Sequence, residues 1–93
     1  MKIVIKDHAG QFAENKDIAK KLREGIIIPS IDCGDEVFLD FKGIDSSTQS
    51  FVHALISEVF QVNGEVCLER FHFENCNTAV KSLITTVVNY SLE

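Results

Sequence analysis

Alternation of apolar and polar residues marks the first strand of the chain. The segment KIVIK, residues 2–6, places β-branched side chains at alternate positions, and DHAGQ supplies the turn that ends the strand. A short second strand is expected around residues 11–13. From the N-cap candidate Asn15 the spacing becomes that of an amphipathic helix. Because Pro29 disfavours helical geometry at the residue before it, this helix is expected to end near Ile27.

The next two segments repeat the order of strand and helix. EVFLDF, residues 36–41, is apolar on both alternating faces apart from Asp40, which favours a central strand covered on both sides in a mainly parallel sheet. A second helix is expected from about Thr48 to Val62, closed by an Asn-Gly pair. Its polar half consists of Ser50, His53, Ser57 and Gln61.

The last third of the chain predicts one more strand and one more helix. EVCLERFHF, residues 65–73, indicates a strand with its body at 65–69, and a third helix is expected to begin at Asn75 or Asn77 with Tyr90 on its apolar face. Strands that alternate with helices indicate βαβ units. The expected architecture is a single α/β domain over residues 1–93, in the order β-α-β-α-β-α, with a mixed or mainly parallel sheet and three main helices.

Charge argues against a nucleic-acid partner. The chain of 93 residues has a formal net charge of −5; residues 1–24 hold six basic and four acidic side chains, and the remainder hold three and ten. The basic residues of the first helix are interrupted by Asp17 and Glu24 and lie mostly on its polar face. A solvated face is therefore expected there, because phosphate backbones favour clustered Lys and Arg.

The length of the apolar runs and the cysteine content indicate the cellular compartment. No apolar run approaches the ~20 residues that span a bilayer, and Lys6 interrupts the N-terminal apolar segment too early for a signal peptide. Three cysteines without a CxxC motif favour a cytoplasmic protein without a disulfide framework. A chain this short buries only about 60% of its unfolded surface, so a homodimer is one state that the length leaves open.

Several segments together carry a family resemblance. VFLDFKGI (37–44), TQSFVHAL (48–55) and NGEVCLERFHFEN (63–75), followed by an amphipathic helix, resemble the STAS-like domain family of unknown function, a relative of anti-sigma-factor antagonists and sulfate-transporter STAS domains. The preceding LREGIIIPSIDCGDEV fits the lead-in of that family. The resemblance covers roughly residues 12–88.

The resemblance implies a non-enzymatic, regulatory protein-interaction module of bacteria, with a histidine-kinase-like ATPase as a partner. The partner-binding surface is expected at the start of the second helix, on Thr48, Gln49, Ser50, His53 and Ser57. In the antagonists, a Ser or Thr in an Asp-Ser-(Ser/Thr)-Gly turn is phosphorylated. This chain has Thr-Gln-Ser-Phe there, so it lacks the Asp, the expected acceptor and the Gly, and Ser50 and Thr48 are the remaining phosphoacceptor candidates.

The same polar cluster permits other interpretations. Its side chains can simply cap the free N–H groups of a helix start, and those N–H groups also favour an anion. An alternative function is therefore a small-molecule- or anion-binding domain with its site at the carboxyl ends of the strands, near the loop from Asp40 to Ser47. Asp40 itself is expected to accept hydrogen bonds from loop amides.

Metal binding and catalysis are not expected. Cys33, Cys67, His72 and Cys76 are the residue types of a Cys3His zinc site, but in a strand over residues 65–73 Cys67 and His72 point to opposite faces. No metal or other cofactor is predicted on that ground. The sequence contains no nucleophile elbow and no phosphate-binding glycine loop, so we expect no enzymatic activity.

Overall fold

Strands and helices alternate along the chain in the computed structural model, which describes residues 1–92. The strands in this part of the chain are β1 (Lys2–Val4), β2 (Phe12–Ala13), β3 (Val37–Asp40), β4 (Ser46–Ser47) and β5 (Phe71–Glu74). The α-helical segments are α1 (Ile5–Ala9), α2 (Lys16–Leu22), α3 (Ile28–Asp32), α4 (Gln49–Val52), α5 (Glu58–Asn63), α6 (Val66–Arg70) and α7 (Thr78–Leu92). Two π-helical segments, Arg23–Ile27 and His53–Ser57, connect α2 to α3 and α4 to α5, giving a continuous helix 16–32 and a continuous helix 49–63.

The main sheet consists of β1, β3 and β5, all parallel, with β3 in the centre. Ile3, Leu39 and Phe73 are aligned across its inner face, where Ile3 and Leu39 are buried and Phe73 packs against the same apolar core. The predicted α/β fold, with a mainly parallel sheet and β3 at its centre, is confirmed. A second sheet pairs β2 with β4, and this pairing confirms the short strand expected near residues 11–13.

The outer face of the main sheet remains partly open to solvent. Lys2, Phe38 and His72 are aligned across it, and the rings of Phe38 and His72 stack with centroids 4.5 Å apart. The His72 side chain keeps 39% of its surface exposed. The prediction that β3 is covered on both faces is therefore wrong for this face, where the neighbouring imidazole shields Phe38 only in part.

Both outer strands are shorter than the sequence predicts. β1 stops at Val4, and α1 replaces the end of the expected strand and its turn. The strand predicted at residues 65–69 is wrong as well, because this segment forms α6 and β5 begins only at Phe71. In α6, Cys67 is buried in the core and Val66 and Leu68 are exposed.

Helix 16–32 begins where the sequence predicts but ends later. Asn15 is its N-cap, and the Asn15 side chain accepts a hydrogen bond from the N–H of Asp17 at 3.0 Å. The predicted end near Ile27 is wrong, because Ile28 keeps helical angles of −60° and −48° in front of Pro29. The π segment widens the preceding turn, with the Ile28 N–H bonded to the Arg23 carbonyl, and so gives the proline ring room in the helix interior.

Helix 49–63 has the predicted bounds and, apart from Ser57 and Val62, the predicted faces. Thr48 caps its start, and Gly64, at a φ of 68°, follows its last residue. A π turn holds about one residue more than an α turn, so the residues after it are rotated by roughly 100° relative to a straight α-helix. The rotation explains why Ser57, expected on the polar face, is buried, and why Val62, expected on the apolar face, is 77% exposed.

Helix α7 starts after Asn77, one of the two predicted positions. The Asn77 carboxamide oxygen accepts the N–H of Val80 at 2.8 Å, as an N-cap does. Near the other end, Ser91 is buried one turn after Val87, and Tyr90, predicted on the apolar face, is 61% exposed. Between residues 1 and 92, no helix combines the length and the apolar character needed to cross a membrane.

Candidate functional site

The turn before helix 49–63 is fixed by hydrogen bonds to two other parts of the chain. The Ser47 hydroxyl donates to the Ala13 carbonyl at 2.6 Å, and the Thr48 N–H donates to the same carbonyl at 3.1 Å. The Asn77 carboxamide donates to the carbonyls of Ile44 and Asp45 at 3.1 and 3.0 Å. The turn is therefore held from the small sheet on one side and from α7 on the other.

Thr48 has the capping role that the sequence predicts. Its side-chain oxygen accepts the N–H of Phe51 at 3.1 Å, and the Phe51 ring is fully buried directly below. One free N–H of the helix start is thereby satisfied without any ligand. Thr48 therefore has a structural role as the cap, whereas Gln49 and Ser50 are exposed and accessible to a partner.

Exposed polar residues of helix 49–63 lie between two shallow grooves. One groove, of about 400 Å³, is lined by Lys16, Gln49, Ser50, His53 and Ala54. The other, of about 300 Å³, is lined by Gln49, His53, Val87 and Tyr90. His53 borders both grooves, and its ring centroid lies 6.2 Å from that of Tyr90. We refer to the surface formed by Lys16, Gln49, Ser50, His53 and Tyr90 as the His53 face.

The structure brings together most of the predicted partner-binding residues, but not Ser57. Thr48, Gln49, Ser50 and His53 are exposed at the start of the helix, whereas Ser57 is only 1% exposed. The hydroxyls of Ser57 and Ser91 are hydrogen-bonded to each other at 2.9 Å, which links helix 49–63 to α7. Ser57 is thus a buried polar contact between two helices and is not available to a partner.

Two residues of the His53 face were missed by reasoning from the sequence. Lys16 directly follows the N-cap of helix 16–32, and its position beside Ser50 depends on how the two helices pack. The sequence predicts Tyr90 on the apolar face of α7, because an aromatic residue at near-helical spacing normally belongs to the core. An exposed tyrosine beside an exposed histidine has no signal in a single sequence.

Asp40 is a structural carboxylate at the end of β3. It accepts hydrogen bonds from the Lys42 N–H at 2.9 Å and from the Asn75 carboxamide at 3.0 Å, and Lys2 lies 3.6 Å away. The bond from Asn75, then that from Lys42, and then the Lys2 charge hold the pKa of Asp40 below its usual value, against the opposing effect of burial. The prediction that Asp40 accepts loop amides is confirmed. A lowered pKa keeps the carboxylate ionised at neutral pH, the opposite of what a general acid needs.

A third groove lies beside the position predicted for a small-molecule site. Phe41 and Ile44, in the loop that follows Asp40, are buried in the core. The concave surface is found next to this loop, between β5 and α7, with a volume of about 450 Å³. Its lining consists of Phe73, Asn75, Cys76, Lys81, Ile84 and Thr85. We refer to it as the β5–α7 groove.

The cysteines and His72 occupy unrelated environments. Cys67 is buried in α6 with its thiol 3.6 Å from the Val59 carbonyl, Cys33 is exposed, and His72 stacks on Phe38. Cys67 lies in α6, so the prediction that Cys67 and His72 share one strand and point to its opposite faces is wrong. Among residues 1–92, no three His, Cys, Asp or Glu side chains are grouped so as to hold a metal ion. Burial raises the pKa of the Cys67 and Cys76 thiols, which makes both weak nucleophiles.

Comparison with protein families identifies a family to which the chain is similar. A family model described as a STAS-like domain of unknown function matches residues 19–81, which is most of the chain. The matched range includes helix 49–63, the turn before it and the start of α7. No match to the chain was found among curated proteins or among solved structures.

Proposed function

We propose, since the chain belongs to the family of STAS-like domains of unknown function, that it is a regulatory, non-enzymatic module that binds another protein through the His53 face. The family description states a fold without an activity, so the proposal depends on the surface. Its central observation is the position of His53, an exposed ring between two shallow grooves at the start of helix 49–63.

The composition of the His53 face suits a protein partner. The rings of His53 and Tyr90 offer amphipathic contact area, and tyrosine is enriched at protein interfaces. Gln49 and Ser50 add hydrogen-bonding groups whose desolvation costs less than that of full charges. Because the turn before them is held by Ala13 and Asn77, little backbone ordering would be required on binding.

A histidine-kinase-like ATPase remains the partner that the family resemblance suggests. If such a partner phosphorylates the module, Ser50 is the preferred acceptor, because the Thr48 oxygen already accepts the N–H of Phe51. Ser50 is exposed, and its hydroxyl adjoins the groove bordered by Lys16. A phosphoryl group there would gain from the positive end of the helix dipole.

The test compares partner capture by variants of the purified protein. His53→Ala combined with Tyr90→Ala removes both rings, and we expect the amount of a captured ATPase-type partner to fall about tenfold or more. Gln61→Ala combined with Asn89→Ala is the matched control, since both residues are exposed on the same two helices but do not line the grooves of the His53 face.

Thermal unfolding of the same variants separates binding from folding. All four side chains are exposed, so both double variants are expected to change the free energy of unfolding by no more than roughly 0.5 kcal/mol per site. Equal capture by the parent and the His53–Tyr90 variant would rule out this face. Phosphate found on a residue other than Ser50 after incubation with the partner would refute the assignment of the acceptor.

A further inference from the structure

The edge of β5 presents unpaired backbone groups. β5 is the last strand of the sheet on its side among residues 1–92. The Phe41 N–H donates to the Glu74 carbonyl at 2.9 Å, so the backbone groups of Glu74 face β3. Successive strand residues direct their backbone groups to opposite sides, so the N–H and C=O of Phe73 point away from the sheet. The Phe71 carbonyl points the same way, while the Phe71 N–H is bonded to the Cys67 carbonyl.

The β5–α7 groove runs beside this open edge. Phe73 and Ile84 form an apolar floor, and Asn75, Thr85 and Lys81 contribute polar groups to its rim. The volume of about 450 Å³ is that of a few side chains. Backbone hydrogen bonds at an edge together with a side-chain pocket beside it are the two components by which sheets bind extended peptides.

The positive charge at the rim of the β5–α7 groove indicates that a ligand of this groove carries an acidic residue. Lys81 is exposed at the rim and has no carboxylate partner within residues 1–92. It is also one of only three basic residues after residue 24, in a part of the chain that holds ten acidic ones. A carboxylate on the ligand would therefore complement the one positive group of the rim.

We propose that the β5 edge binds an extended segment of a partner protein, which adds a strand beside Phe73, places an apolar side chain in the β5–α7 groove and brings an acidic residue to Lys81. The site is separate from the His53 face, so neither proposal depends on the other. An exposed parallel edge of this kind is otherwise a site of unwanted association, and a bound segment would cover it.

A second copy of this chain is a poorer occupant of the edge. Because the Phe71 N–H is already used within the chain, the short β5 edge would offer a second copy only the Phe73 N–H and the carbonyls of Phe71 and Phe73. The carboxylate of β5, Glu74, lies on the opposite face of the sheet from Phe73, so the edge of a second copy would not bring it to Lys81. A peptide meets the same set of backbone groups, but it can place an acidic residue on the groove side of the added strand, within reach of Lys81.

A displayed library of random octapeptides, selected on the full chain, tests the proposal. Enriched peptides should share an apolar residue close to an acidic residue, in an alternating pattern typical of a strand. The best of them should slow hydrogen exchange at the Phe73 amide. Methylation of the central amide nitrogens of that peptide should abolish binding, since strand addition requires the peptide's own N–H groups.

Charge reversal at the rim gives the matched comparison. Lys81→Glu should weaken the selected peptide about tenfold, and Lys20→Glu, on the exposed face of helix 16–32, should leave its dissociation constant within about twofold. Both lysines are exposed helix residues, so both variants should stay folded, which circular dichroism verifies.

Four outcomes would overturn the proposal. The first is a selection without enrichment, and the second is a peptide that ignores Lys81→Glu or protects the amides near His53 instead. A fragment set that shifts the Phe73 and Ile84 resonances when no peptide does so would assign the groove to a small molecule. A concentration-dependent dimer that protects the Phe73 amide would assign the edge to a second copy.

Discussion

The turn at residues 44–48 and the segment at residues 65–74 flank the same helix but are held in different ways. Polar side chains fix the turn: Ser47 bonds to Ala13, and Asn77 bonds to two turn carbonyls. The later segment depends on apolar burial, with Cys67 and Phe71 in the core. The comparison shows that a short segment held by capping chemistry can be recognised in a sequence, whereas one held by burial depends on the rest of the fold.

The largest expected effect comes from removing the side chain that fixes the turn. Asn77→Ala deletes the cap of α7 and the two bonds to the Ile44 and Asp45 carbonyls, and should lower the free energy of unfolding by about 2–3 kcal/mol. Chemical denaturation measures the effect. Ser82→Ala, an exposed change on the same helix, should cost less than about 0.5 kcal/mol. Similar losses for the two variants would mean that polar bonds do not hold the turn.

The counterpart in the second segment is Cys67. Cys67→Ala should cost about 1–2 kcal/mol, because it leaves a small cavity between α6 and helix 49–63, while the same change at the exposed Cys33 should be nearly neutral. Thiol labelling gives an independent measurement: a maleimide should modify Cys33 rapidly in the native protein and Cys67 only after unfolding. Rapid native labelling of Cys67 would contradict its burial in α6.

Asp40 connects the two regions, because Asn75, directly after the second segment, donates to the carboxylate of Asp40, which precedes the turn. At neutral pH, Asp40→Asn should cost roughly 1–1.5 kcal/mol through loss of charge-assisted bonds. The lowered pKa means that the folded state favours the ionised form. Its stabilisation is therefore fully present above the unfolded pKa of about 3.9 and is lost as the pH falls through the lower folded value.

A pH series of urea unfolding measures that contribution. The difference between parent and Asp40→Asn should be constant from pH 7 to about 5 and should shrink below about 4, because the carboxylate of the parent is then protonated first in the unfolded state and, at lower pH, in the folded state. Asp45→Asn, at an exposed carboxylate in the same loop, serves as the control. A difference that grows on acidification would mean that the pKa of Asp40 is raised.

The smallest effects distinguish the buried serine from the exposed histidine of helix 49–63. Ser57→Ala removes one partner of the Ser91 hydroxyl, which keeps its bond to the Val87 carbonyl, so the expected cost is about 1 kcal/mol. His53→Ala, one turn earlier, should cost less than about 0.5 kcal/mol. Melting temperatures of the two single variants decide the order, and the reverse order would place Ser57 at the surface.

Much of the fold could be predicted from the sequence because its signals are local. Asn15, Thr48 and Asn77 cap the helices that their neighbours predict, and the apolar run at residues 37–41 is the central strand. The candidate site could be predicted only in part. Its residues near Thr48 are consecutive in the chain, whereas Lys16 and Tyr90 reach the His53 face from two other helices.

The wrong predictions have a common physical cause: each assumes a regular helix or strand period where the backbone departs from it. Helical spacing places Ser57 beside His53, but the π turn between them changes which side faces the core. The alternating apolar residues at 66 and 68 resemble a strand, yet one helical turn buries only Cys67 between them. Pro29 predicts the end of a helix, but the π turn before it is wider than an α turn, and the helix continues past the proline.

The two π segments are places where each helix could lose one residue. Each contains about one residue more than a regular turn, so removal of one residue would leave both ends of the helix intact and only rotate one half against the other. The Arg23 guanidinium donates to the Ala54 carbonyl at 2.9 Å and so joins the two segments. In an alignment of homologous chains, we therefore expect single-residue gaps inside these helices, where gaps are ordinarily rare, and we expect a gap in one segment to accompany a change in the other.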